Sequence, residues 1–293
     1  MLLRPLTALA TSWISRAARP DAAALAAVAG RQPCIAIAGG SEGIGLAIAL
    51  QFARNSSHVL LIGRSEPKLA EACQMVAAVA LPPAQVSTLA LDVTDPDAAA
   101  VIDKTCAQSM LYLDCLVLSA GIGLSGPFDA HATSEIDALL AINVAAATRL
   151  IHHVLPGMLA RGRGGVLALA SLGGATPGPY QATYYASKAY LASLIEAVAQ
   201  ENRGRGVRLS VVLPGPVETR FHEKMSAETA LYRRVMPSMS ASRVAASAVR
   251  GYRLGHTVIR PGFLTRVLAI AMRLTPHPLL VPVVGWLLRP RPP

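Results

Sequence analysis

The chain has 293 residues, 53% of them hydrophobic and 15% charged, enough to bury one α/β core of about 250 residues with short extensions. Its net charge of +10 is unevenly placed: from Thr229 onward there are ten arginines and neither lysine nor carboxylate, which leaves 17 side chains of each sign before it. That basic end is interleaved with Leu, Val, Ile and Trp and carries no reader motif, which argues against nucleic acid and for an anionic membrane surface, while four cysteines without CxxC spacing argue for buried thiols in a reducing compartment and no metal site.

Residues 1–32 hold Arg4, Arg16, Arg19 and Arg31, no acid before Asp21, and many Leu and Ala. The segment lacks the clean apolar run of a secretory signal and the roughly 20 apolar residues of a spanning helix. It is expected to be an amphipathic extension that packs on the body or lies on a membrane.

From Cys34, short apolar runs alternate with stretches of helical spacing: "CIAIA" (34–38), "HVLLI" (58–62), "VSTLAL" (86–91), "CLVLSA" (115–120), "GVLALA" (165–170), "VRLSVVLP" (207–214) and "TVIR" (257–260). Continuous rather than alternating apolar runs fit strands buried on both faces. Seven of them separated by helices predict βαβ units and an α/β domain whose parallel sheet is covered on both faces.

The first strand runs into "AGGSEGIG" and then a helix. Gly39, Gly43 and Gly45 allow a tight turn, close approach to a pyrophosphate and tight helix packing, with the phosphates at a helix N-terminus. The second strand ends in "LLIGRS", where an NAD-selecting protein would place an acid; Arg64 there can pair with the 2′-phosphate of NADP. Glu42, inside the glycine loop, opposes that phosphate, and Asp92 and Val93 at the end of the third strand can meet the adenine.

"TYYASK" offers two tyrosines. On a helix Tyr184 and Lys188 share a face, whereas Tyr185 shares its face with Ala189. An ammonium beside the phenol would draw its pKa down toward neutrality, and Ser171, thirteen residues upstream at a strand end, can hold the same substrate oxygen.

Together these features resemble the short-chain dehydrogenase/reductase family: the glycine motif, the serine, Tyr184-x-x-x-Lys188 and "PGPVET" (214–219) stand in its order and spacing over roughly residues 33–262. The resemblance implies a doubly wound, seven-stranded parallel Rossmann sheet with helices on both faces, nicotinamide cofactor binding, and a catalytic tetrad of Asn143, Ser171, Tyr184 and Lys188, with Asn143 holding a water in a proton relay. Residue by residue it adds Ser41, Glu42, Ile44, Ala120, Gly121, Pro214, Gly215, Val217 and Thr219 to the cofactor contacts, alongside Tyr184 and Lys188. Two positions depart from the family pattern, Ala38 where threonine is usual and "LSAG" (118–121) in place of Asn-Asn-Ala-Gly; Ser119 can replace only part of an asparagine's hydrogen bonding.

The flanking sequence is similar to a bacterial DltE-like or ketoacyl-reductase-like subgroup acting on acyl chains, steroids and other lipophilic carbonyls. Phe221, Met225, Leu231, Tyr232, Met236 and Met239 then read as either an apolar lid or the hydrophobic face of two short helices. After Gly262, residues 263–293 form a basic apolar tail whose longest uncharged run, 278–288, is too short to span a bilayer; interfacial binding and packing on a second subunit or on the N-terminal extension stay equally open.

The expectation is an NADP(H)-dependent reductase of a hydrophobic ketone, with NAD(H) also admissible. Its alternatives are an NAD-dependent alcohol dehydrogenase and a catalytically silent NADP-binding scaffold at a membrane. A homodimer or homotetramer is expected, in the cytoplasm or at the inner face of its membrane.

Overall fold

The computed structural model describes residues 20–55, 57–225 and 230–290. Residues 1–19 of the N-terminal extension lie outside the described residues. Its remainder holds a short helix, α1 (Ala22–Ala26), capped by the Asp21 carboxylate and tied to the body where Asp21 N–H donates to Ala160 O at 2.8 Å.

Seven parallel strands form the sheet: β1 (Gln32–Ala38), β2 (His58–Gly63), β3 (Val86–Ala90), β4 (Leu111–Leu118), β5 (Gly164–Leu169), β6 (Val207–Val212) and, after a small parallel pair β7 (Val217–Glu218) and β8 (Met239–Ser240), β9 (Val258–Ile259). Their order is β3-β2-β1-β4-β5-β6-β9. The direction of winding reverses between β1 and β4, and the crevice beyond the strand ends at such a switch point is where open α/β sheets bind ligands.

Side-chain alternation along β1 explains why both faces need cover. Cys34, Ala36 and Ala38 point into one apolar layer and Ile35 and Ile37 into the other. The first layer is closed by α4 (Ala98–Gln108), α6 (Ala147–Arg161) and α7 (Ala182–Glu201), which contribute Ile102, Leu150 and Ile195. The second is closed by α2 (Gly43–Ala53), α3 (Glu66–Ala77) and α10 (Ala241–Arg253), through Ile48, Leu69 and Val244. A continuous helical run from α5 (Thr133–Leu140) through one π-helical turn (Ala141–Ala146) into α6 is apolar and long enough to cross a membrane. It instead buries Leu139, Ala146, Leu150, Ile151, Val154 and Met158, which marks it as a core helix.

β4 begins four residues earlier than the apolar run suggested. Cys34 pairs with Leu113 and Ile35 with Cys115, so Asp114 is the extra residue of a β-bulge. Its carboxylate turns out to Arg163, 3.0 Å away, and a polar residue in that place makes the strand start look like loop.

Besides α1, four helices stand outside the two layers: α8 (Phe221–Lys224), α9 (Tyr232–Val235), α11 (Phe263–Leu274) and α12 (His277–Leu288). Leu280, Val284 and Leu288 of α12 pack with Ala230 and Tyr232 in a third apolar cluster, which Met272 of α11 and Tyr185 join. The segment set apart as a tail in the sequence is thus in contact with the body, over the C-terminal ends of the strands. Of the six residues read as a lid or a helix face, Phe221 and Tyr232 lie on the short helices α8 and α9, Met225, Leu231 and Met236 flank them, and Met239 lies in β8.

Candidate active site

A cavity of about 690 Å³ opens at the switch point, in the size range of small-molecule and cofactor sites. One end is built from backbone. The Ala38 carbonyl accepts from both Ser119 N–H (2.9 Å) and Ala120 N–H (2.8 Å), drawing the end of β4 against the end of β1. Main-chain bonds therefore tie this edge despite the shorter side chain of Ser119. Gly39, at φ +81°, lies so close that a Cβ there would stand 2.6 Å from Ala120 N, and a Cβ on Gly45 would strike the Gly39 carbonyl oxygen. α2 starts at Gly43 without a side-chain cap, so its first N–H groups are available to an anion. That cradle fits the pyrophosphate of a nicotinamide dinucleotide.

Charged groups ring this end. Glu42 accepts from Arg220 Nη2 at 2.9 Å and has Lys68 Nζ at 3.8 Å, so two cations share the acid that opposes a phosphate. Arg64 is exposed, with Nη1 4.0 Å from Asp92 Oδ2. Hydrogen bonds from Thr94 N–H and Oγ1 hold the Asp92 carboxyl below its usual range, with Arg64 adding to the effect.

Deeper in, Ser171 at the end of β5 accepts from Gly173 N–H at 3.0 Å. α7 presents Tyr184 and Lys188 from one face, with Nζ 5.8 Å from the centre of the phenol ring. Lys188 Nζ donates to Leu169 O at 2.8 Å, and burial pushes this amine down to about 8. Tyr184 departs from the expected lowering: burial raises its phenol well above the ordinary range, and a hydrogen bond with the Ser171 hydroxyl only partly offsets this. Desolvation is the largest cause, with the rings of Tyr185 and Phe221 packed beside the phenol at centre distances of 6.1 and 5.5 Å.

Asn143 sits in the π-helical turn, a feature common at functional sites. Its carboxamide accepts from Ile122 N–H (3.0 Å) and donates to Ile122 O (2.8 Å) and Ser187 Oγ (3.1 Å). Through the two bonds to Ile122 the side chain braces the loop after β4. A Cβ on Gly121 would stand 2.9 Å from Asn143 Oδ1 and 3.4 Å from Lys188 Nζ, so this brace and the lysine share one wall.

The cavity brings together Gly39, Ser41, Glu42, Gly43, Ile44, Arg64, Asp92, Val93, Ala120, Gly121, Ser171, Tyr184, Lys188, Pro214, Gly215, Val217 and Thr219. Gly45 and Asn143 stand behind its lining. Sequence reasoning missed Lys68, Arg220 and Gln181, and the wall formed by Met272, Val284, Leu287 and Leu288. A lysine one turn into the helix after Arg64 was a usable signal for Lys68. Nothing local announces the others, whose position comes from tertiary packing.

The family model for short chain dehydrogenase matches residues 33–230. Human 17-beta-hydroxysteroid dehydrogenase type 1 is 35% identical over 197 residues, a match covering 65% of this chain and 58% of that protein. Ketoacyl reductase HetN of Nostoc sp. is 30% identical over 215 residues, 73% of each chain. Among solved structures, a short-chain dehydrogenase from Sphingobium yanoikuyae in complex with NADPH superposes with a TM-score of 0.72 at 24% identity, over 82% of this chain and 92% of that one, and shares the fold. With glycine cradle, tyrosine, lysine and sheet order in place and the family model spanning most of the sheet, the chain belongs to the short-chain dehydrogenase family.

Proposed function

We propose that this chain reduces a hydrophobic ketone to a secondary alcohol with NADPH. One observation carries the reading: Ser171, Tyr184 and Lys188 stand in a single cavity between a glycine cradle and a wall of apolar side chains. The names of the steroid dehydrogenase and the ketoacyl reductase it resembles point to the same lipophilic carbonyls.

A nicotinamide dinucleotide held by the Gly39–Gly45 cradle would supply the hydride for the carbonyl carbon. Ser171 and Tyr184 hold the carbonyl oxygen, and Tyr184 releases its phenolic proton to that oxygen as negative charge develops there. The phenol is protonated at neutral pH, the state in which a reduction starts. Lys188, charged below pH about 8, stabilises the phenolate left behind. Asn143 is a positioning residue that acts through Ile122 and Gly121.

Screening with NADPH and NADH against 3-oxoacyl thioesters, steroids and aromatic ketones tests the reading. Tyr184→Phe is expected to lower kcat by about 10²- to 10⁴-fold with NADPH affinity kept, while Tyr185→Phe keeps turnover. The reverse pattern overturns the assignment. Tight NADPH binding without turnover of any ketone supports a silent scaffold, and a preference for NADH supports an NAD-dependent alcohol dehydrogenase.

The same reading includes residues 33–262 as the catalytic domain, a homodimer or homotetramer to be checked by sedimentation velocity, and work at a cytoplasmic membrane face. α11 exposes Phe263, Ile270 and Leu274, beside a groove lined by Arg250, Arg260, Arg266 and Arg273. An apolar stripe flanked by arginines suits an anionic bilayer surface. Vesicles containing anionic lipid should retain the chain at low salt and release it when these three apolar residues become serine; equal retention would remove the membrane from the proposal.

A further inference from the structure

Gln181 stands at the start of α7, three residues before Tyr184, and is only 3% exposed. Its backbone is committed, with N–H donating to Gly178 O and C=O accepting from Tyr185 N–H, both at 3.0 Å. Its side chain is not: Nε2 is buried without a hydrogen-bond partner, while the residue lines the cavity beside Tyr184 and Tyr185. Three other buried side-chain atoms among the described residues share this condition, on Ser125, Arg161 and Arg260, and none of those residues lines this cavity.

A buried amide with nothing to bond is destabilising, and native chains seldom keep one unless a ligand or water completes it. A methionine of similar shape would fill the same wall without that penalty. Gln181 is the N-cap residue of α7 and lines the same cavity as Tyr184, so its unpartnered amide belongs to the space in which Tyr184 would hold a carbonyl oxygen. Beyond Tyr185 the wall continues through Met225, Met236, Met272, Val284, Leu287 and Leu288, none of them charged.

We propose that Gln181 recognises a second oxygen of the substrate, close to the carbonyl that is reduced. This rests on the reductase reading and narrows it: the preferred substrate is a 3-oxoacyl ester or thioester, oxygens at one end and an apolar chain along the rest, over an isolated ketone of equal length. The amide donates to the acyl carbonyl oxygen and fixes which carbonyl faces Tyr184. It is a specificity residue, and the bonds made and broken stay those of the ketone reduction.

The test compares a methyl 3-oxoalkanoate with the ketone of the same chain that lacks the ester carbonyl. In the full chain, Gln181→Met should lower the ratio of their kcat/KM values by about tenfold or more, the loss expected for one buried hydrogen bond to substrate, without lowering Tm. Gln181→Glu, whose carboxylate repels the ester oxygen, should lower the ratio further. A ratio unchanged in both variants, or a lowered Tm with both substrates weakened alike, overturns the proposal. Calorimetric binding of the two compounds to NADPH-saturated Tyr184→Phe protein, with and without Gln181→Met, separates the proposals. If the wild type turns over no ketone but the ester still binds more tightly through Gln181, the reductase reading falls and the Gln181 contact to the acyl oxygen alone stands; equal binding with and without the amide removes Gln181.

Discussion

The two ends of the cavity are built from different material. At the cofactor end the shape is made by main chain: Gly39 against Ala120, Gly45 beneath the Gly39 carbonyl, and the Ala38 carbonyl shared by two N–H groups. At the substrate end it is made by side chains from α8, α9, α11 and α12, four elements outside the sheet layers. Backbone contacts leave no room for adjustment, whereas apolar side chains can be exchanged and repacked. One end is therefore fixed to a single kind of ligand, and the other is free to change what it accepts.

The contrast predicts unequal costs. Gly45→Val should abolish NADPH binding, because its first added carbon already collides with the Gly39 carbonyl and both partners are backbone. Fluorescence titration checks this, and binding like the wild type would erase the distinction between the two ends. Leu288→Ala, at a residue 2% exposed in the roof, should instead leave NADPH affinity alone and reduce kcat/KM for a long-chain ketone by about 10- to 200-fold, as lost apolar contacts do in a substrate pocket. A loss of cofactor affinity in that variant would show that the roof and the cradle are one unit.

The same division governs what the sequence disclosed. The cradle was legible because every requirement is local: glycines at fixed offsets between an apolar run and a helix, and a tyrosine and lysine one turn apart. The strands were legible wherever both faces are buried, and β4 was cut short where Asp114 bulges out to Arg163. Met272, Val284 and Leu288 could not be assigned to the cavity wall, since their residue types suit a membrane face or a subunit contact equally well. The direction of the Tyr184 shift was misjudged for a related reason, as burial by Tyr185 and Phe221 is a property of the packed site and not of the spacing between Tyr184 and Lys188.

Lys188 lies where the two ends meet, and its titration sharpens the comparison. Burial lowers its folded pKa from 10.5 to about 8. Between those values the unfolded chain binds the additional proton, so this residue's contribution to stability rises with pH across the interval and is lost as pH falls through about 8. The full change amounts to about 3 kcal/mol. Tyr184 and Tyr185 act in the opposite sense, since burial raises both above 10.0; their contribution is complete below that value and is lost only at higher pH. From pH about 8 to about 10, the urea midpoint of the wild type should therefore climb relative to that of Lys188→Met. A flat difference would mean that water reaches the amine from the substrate end and that the lysine is not enclosed.

The smallest effect is expected where the cofactor end depends on side chains. Arg64 is 72% exposed and 4.0 Å from Asp92, an ion pair worth about 0–1 kcal/mol, so Arg64→Ala should leave stability unchanged. If its guanidinium meets a 2′-phosphate, NADPH should bind about tenfold more weakly and NADH equally well. Lys68 faces the same cavity, tied to Glu42 only at 3.8 Å while Arg220 holds that acid at 2.9 Å. It can turn to the phosphate once Arg64 is gone, which blunts the single substitution. Only Arg64→Ala with Lys68→Ala should then bring the affinities for NADPH and NADH together. A full loss of preference from Arg64→Ala alone would make this position as unforgiving as Gly45, although it is an exposed side chain; no change even in the double variant would take selection of the phosphate away from this edge of the cavity.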